Sequence, residues 1–86
     1  MRKDFVISND QGIHARPATL LVSRANQFDS DITIEFENEK VDLKSIMGVL
    51  SLGVSRGSLI TIETKGKDEV EAMESLARLI AEFNMQ

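Results

Sequence analysis

The spacing of apolar residues switches back and forth between two and three-to-four along this 86-residue chain, and no other feature restricts the fold so tightly. Phe5 and Ile7 alternate with polar neighbours, predicting a strand over 4–8 that ends in the turn-forming run Asn9-Asp10-Gln11-Gly12. Ala18, Leu21, Val22, Ala25 and Phe28 then fall at helical spacing, with Pro17 in the first turn of that helix. Ile32, Ile34 and Phe36 return to alternation, and after Glu37-Asn38-Glu39 the pattern resumes at Val41 and Leu43, a hairpin signal.

Ser45 precedes Ile46, Val49 and Leu50, a short amphipathic helix expected to stop near Gly53. Leu59 to Thr64 reads as a strand with Ile60 and Ile62 on one face. Asp68 and Glu71 have the spacing of a capping box, and Met73, Leu76, Ala77, Ile80 and Phe83 form the apolar stripe of the longest helix. The order β-α-β-β-α-β-α predicts an α+β fold in two layers. Three helices cover one face of a sheet, while Thr33, Glu35, Thr61 and Glu63 turn the other face to water.

A chain of this size builds one core, so residues 1–86 are expected to form a single domain. Without cysteine it has neither a disulfide framework nor a thiolate metal site, and no cofactor is expected. No apolar run approaches the roughly 18 residues of a membrane span, so a cytoplasmic protein without membrane insertion is expected. The net charge of −4, with no Trp or Tyr and four Phe, disfavours a direct nucleic-acid binder.

Chemistry concentrates at the one histidine, in Gly12-Ile13-His14-Ala15-Arg16-Pro17-Ala18-Thr19. Histidine is the side chain whose ordinary pKa, about 6.5, allows both a neutral nucleophile and a cation near neutrality. A lone loop histidine is ordinarily a surface side chain or cap, but this one stands beside an arginine and a helix start, both of which favour phosphate. The backbone donors for a group on His14 would come from Ala15, Arg16 or Ala18, because Pro17 has none. Either Arg16 is the helix cap, with Pro17 first in the helix, or His14 is the cap, against the usual avoidance of helical geometry before proline.

Ser45 is first of all a helix cap, and a cap can also accept a phosphate at a positive helix end. On the helix it begins, Ile46 and Leu50 share one stripe and Met47 and Ser51 a neighbouring one. One stripe is expected to enter the core, and an exposed Met47 would suit docking. A multi-histidine metal site, a second histidine for a Ser nucleophile and a glycine-rich nucleotide loop are all missing.

The segment 12–19 resembles the active-site signature of HPr, the histidine-containing phosphocarrier of the bacterial phosphoenolpyruvate:sugar phosphotransferase system. Lys44-Ser45-Ile46-Met47-Gly48-Val49-Leu50-Ser51-Leu52-Gly53 resembles its regulatory serine motif, in the form found in low-GC Gram-positive bacteria. The likeness covers nearly the whole chain. Asp42, where many relatives carry Asn, and Leu50, where some carry Met, are mild departures.

The resemblance implies an open-faced β-sandwich with antiparallel strands ordered 1-4-2-3. It implies that His14 accepts phosphate on Nδ1 from Enzyme I and passes it to sugar-specific A components, with Arg16 steadying the phosphate. It further implies that Ser45 is phosphorylated by a serine kinase/phosphorylase, slowing transfer and making the protein a corepressor for a catabolite-control transcription regulator. Ile46, Met47, Leu50 and Ser51, around the two helix starts, would be the docking surface of a carrier that is monomeric when free and is no turnover enzyme. The alternatives are a dedicated serine-phosphorylated transcriptional co-effector, an acyl-phosphate hydrolase, which needs an asparagine near Arg16, and a passive interaction domain, which requires His14 to be buried or neutralised.

Overall fold

In a computed structural model that describes residues 1–85, seven elements follow one another: β1 (Arg2–Val6), α1 (Ala15–Ala25), β2 (Asp31–Phe36), β3 (Glu39–Asp42), α2 (Ile46–Ser51), β4 (Leu59–Lys65) and α3 (Glu69–Asn84). The strands make one sheet in the order β1-β4-β2-β3, with every neighbouring pair antiparallel. This is the open-faced α+β sandwich expected from the sequence. The first strand lies two residues earlier than its alternation suggested, and Ile7, fully buried, follows it.

Period-two alternation sends Ile32 and Ile34 of β2 and Ile60 and Ile62 of β4 beneath the helices, all 1% exposed or less. Leu21 and Ala25 of α1, Val49 of α2, and Leu76 and Ile80 of α3 meet them in one hydrophobic cluster. On the opposite face the strands are laced by polar pairs: Asp4 accepts from the Thr61 hydroxyl at 2.7 Å, and Arg2–Glu35 and Lys40–Glu63 approach to 3.5 Å. The β2–β3 hairpin turns on Glu37 and Asn38, both at positive φ, the conformation that matches the twist of flanking strands in a two-residue loop.

The proposed capping box at α3 does not form. Asp68 occupies the cap position, but its carboxylate reaches across to accept from Asp29 N–H (2.8 Å), Ser30 N–H (2.9 Å) and the Ser30 hydroxyl. Glu69 instead accepts from Gly66 N–H at 3.2 Å. The demand of the 29–30 backbone, left unpaired as it enters β2, outweighs the local cap because a tertiary contact satisfies more donors.

Two backbone contacts fix the segment between β1 and α1. Ile13 N–H donates to the Val54 carbonyl at 3.0 Å, and Gly12 N–H to the Asn9 carbonyl at 3.2 Å. Gly12 has φ +64, and a Cβ there would lie 2.4 Å from Val54 O and 2.8 Å from Ser55 Cα. Only glycine permits both the left-handed backbone and this approach.

α1 and α2 pack antiparallel. The start of α1 is bonded to Val54, just beyond the end of α2, while Asn26, just beyond the end of α1, donates to Lys44 O immediately before α2. α2 therefore begins at the far end of α1.

Gly12→Ala is expected to destabilise the protein by about 2–4 kcal/mol, combining left-handed strain with overpacking against Val54; equilibrium urea unfolding measures it. The carboxyl of Asp68 is held below the usual range, first by the Ser30 hydroxyl and next by Asp29 N–H, and that of Glu69 first by Gly66 N–H and next by the N-terminal ammonium. A depressed folded pKa stabilises fully above the unfolded values, about 3.9 for Asp and 4.3 for Glu, and that stability is lost as pH falls from there through the lowered folded values. Asp68→Asn is therefore less stable than the parent at pH 7, with the gap narrowing below about pH 4; urea midpoints compared at the two pH values read this directly.

Candidate functional site

His14 is the cap of α1, with extended backbone at φ −100 and ψ −164, which decides between the two caps the sequence allowed. Arg16 lies within the helix and Pro17 is its third residue, where a missing N–H leaves no hydrogen bond broken. Ala18 N–H is the first to close the helical ladder, donating to His14 O at 2.9 Å. The expectation that Ala18 serves a phosphate is thereby corrected, because its donor is already spent. Ala15 and Arg16 N–H remain, both at the exposed helix end.

His14 is exposed at the cap position and its ring makes no capping bond. It takes part in none of the ion pairs among the described residues. Arg16 is also exposed, and its guanidinium has no protein partner among them. The first turn of α1 carries no acidic residue, whereas that of α3 carries Glu69 and Glu71. The positive end of α3 is thus compensated from within and that of α1 is not, which leaves it complementary to an external anion.

His14 and Arg16 line a cavity of about 250 Å³ together with Asn9, Asp10, Gln11, Pro17 and Phe83. Asp10 is tied at its rim to Arg56, at 3.1 Å, a pair so exposed that it orients the loop more than it stabilises it. Asn9 supplies the asparagine that the sequence did not place near Arg16. Its amide faces the protein interior, however: Nδ2 donates to Gly12 O at 2.9 Å, and Oδ1 is buried away from the surface. It cannot orient an attacking water from there.

Ser45 caps α2, its exposed hydroxyl oxygen accepting from Gly48 N–H at 3.2 Å. The two helix starts do not adjoin. Eleven residues of α1 span about 16 Å, and Ser45 lies at the end remote from His14.

Both helices carry exposed apolar side chains: Leu20 of α1 at 41%, and Met47 at 76% and Leu50 at 41% on α2. Ile46 does not belong with them, since it is half-buried and packs against the core beside Val49. The inward stripe is therefore Ile46–Val49, and Leu50 turns outward with Met47. Ser51 is exposed, its hydroxyl donating to Gly48 O at 2.6 Å. Leu20, which the sequence reading did not single out, betrays itself only by lying off the apolar stripe of α1.

A family model described as the PTS HPr component phosphorylation site matches residues 1–82. The fold is similar to that of HPr-C-His from Thermoanaerobacter tengcongensis, with 43% identity over 100% of this chain and 97% of that one and a TM-score of 0.95. It is similar to the phosphocarrier protein HPr of Bacillus anthracis, with 47% identity over 92% and 94% of the two chains and a TM-score of 0.87. Crh, the catabolite repression protein of Bacillus subtilis described as a swapped dimer, shares 47% identity over 90% and 88%, with a TM-score of 0.76. Members of the matched family carry phosphoryl groups in the phosphotransferase system and are not turnover enzymes, with Enzyme I and sugar-specific components as the partners that role implies. With its fold, its histidine-capped first helix and this agreement over nearly its full length, the chain belongs to the HPr family of the phosphotransferase system.

Proposed function

We propose that this chain relays a phosphoryl group through His14, accepting it from phospho-Enzyme I and passing it to sugar-specific A components. The observation that carries this is the helix end itself: an exposed histidine at the cap, two N–H groups without helical partners in the turn that follows, an unpartnered arginine, and no acid in the first turn. The Nδ1 lone pair of the neutral ring attacks phosphorus as the bond to the donor breaks, and the new N–P bond leaves a phosphate bearing about two negative charges. Ala15 and Arg16 N–H and the Arg16 guanidinium stabilise those oxygens, while the partner protein supplies the remaining positioning. An exposed site suits a carrier because donor and acceptor must each reach the same atom.

Ser45 is the regulatory position in this reading, modified by an ATP-dependent serine kinase/phosphorylase. Phospho-Ser45 would also recruit a catabolite-control transcription regulator. One helix length separates the sites, more than a Debye length of about 8–10 Å at physiological salt. The second phosphate therefore acts on the approach of a partner across Leu20, Met47 and Leu50, rather than on the imidazole. The likeness to Crh supports a second reading, a co-effector working through phospho-Ser45 alone.

Incubation with phosphoenolpyruvate and Enzyme I separates the two. We expect an acid-labile, alkali-stable phosphate that is lost in His14→Ala, and absence of label rejects the relay. Steady release of inorganic phosphate without a partner would instead indicate a hydrolase. Ser45→Asp, which preserves the helix cap, is expected to lower the rate of His14 phosphorylation about tenfold at low salt through KM, with the effect shrinking as salt is added. An equal rate in the two proteins would mean that the sites are uncoupled.

A further inference from the structure

The segment that carries His14 is held by two asparagine side chains, and neither belongs to the motif around the histidine. Asn84, in the last turn of α3, uses both ends of its amide on the exit of β1: Nδ2 donates to Val6 O and Oδ1 accepts from Ser8 N–H, each at 2.9 Å. On its other side the same stretch is paired with the chain before β4, through Ile7 N–H to Ser58 O at 2.9 Å and Gly57 N–H to Ile7 O at 2.7 Å. Asn84 thus stands where a further strand would stand, closing the edge of the sheet just where the chain leaves it for the site.

Asn9 works inside the loop. Its side chain is 7% exposed, and Nδ2 donates to the carbonyl of Gly12, two residues before the imidazole. Its Oδ1 is the one buried side-chain polar atom among the described residues without a partner. What the amide provides is a donor for the buried Gly12 carbonyl, an acceptor that no other donor reaches among the described residues, so the turn of the loop is held by this one side-chain bond. Between them, Asn84 and Asn9 fix the ends of residues 6–12, Ile13 N–H to Val54 O fixes the next residue, and Phe83, adjacent to Asn84, lines the cavity that His14 lines.

We propose that Asn84 and Asn9 are positioning residues for phosphoryl transfer, holding the loop so that His14 presents its ring over the start of α1. This rests on the relay reading above. Neither amide touches the phosphate. Each limits the excursions of the backbone that carries the nucleophile, and small misplacements of a reacting atom are costly to a reaction that depends on alignment. Neither lies among the exposed apolar residues of the docking face, so their removal should spare partner binding.

The test measures steady-state phosphorylation by Enzyme I of the full chain, of Asn84→Ala and of Asn9→Leu, with folding checked by circular dichroism and thermal melts. We expect kcat to fall about tenfold in each variant with KM held within about twofold, and Asn9→Leu, which leaves the Gly12 carbonyl without its donor, to melt below the parent while still folding. Unchanged kcat in a folded variant overturns the proposal, and so does a loss confined to KM, which would mark a docking effect. Should Asn9→Leu fail to fold, Asn84→Ala, at the edge of the last helical turn, decides alone. A parent protein that takes no label removes the relay and this proposal together, whereas a labelled parent with equally fast variants removes the proposal only.

Discussion

The approach of Gly12 to Val54 is the constraint on which the functional end of the molecule depends. A single carbonyl, Val54 O, receives Ile13 N–H and lies where a side chain at position 12 would have to be. The chain leaving the first strand is thereby pressed against the segment that follows α2, and the next residue, His14, arrives extended at the first turn of α1. Moving that contact by an ångström would move the imidazole relative to the amides of Ala15 and Arg16. A left-handed glycine is the only backbone that closes the gap.

The same economy runs through the sheet. One face is buried by three helices, so its strands need only a simple alternation, and the polar face is laced by side-chain pairs that water can reach. The helix ends are treated unequally. α3 carries its own acids and its cap-position carboxylate is used elsewhere, while α1 has neither an acidic first turn nor a side-chain cap. An uncompensated helix end is a small loss for folding and a gain for a protein that must hold phosphate briefly.

Antiparallel packing of α1 and α2 gives the two phosphorylation candidates opposite ends of one surface. The length of α1 keeps them apart, and exposed apolar side chains stand on both helices, Leu20 on α1 and Met47 and Leu50 on α2. In the proposed reading, a phosphate on Ser45 acts by changing who can dock. A small carrier that must meet several partners with one face is suited to control of that kind, because one charge at the rim alters every encounter.

Much of this was legible in the residues themselves. Alternation at Ile32, Ile34, Ile60 and Ile62 and helical spacing at Leu21, Ala25, Leu76 and Ile80 named the core and the order of the elements, because burial on one face imposes a period that needs no knowledge of the partner. His14 and Arg16 stood out through side-chain chemistry, and Ser45 through its preference for a helix cap. Other features had no local signal. Asp68 has the spacing of a capping box and yet serves residues 29 and 30, Ala18 loses its donor to His14 O, and Ile46 turns inward while Leu50 turns out. The sequence by itself determined the elements, the core and the reactive side chains, since these follow from local periodicity and residue chemistry. Only the tertiary structure decided that His14 and not Arg16 caps the first helix, how far Ser45 lies from it and which amides hold its loop, because those depend on contacts between residues as distant in the chain as Val6 and Asn84.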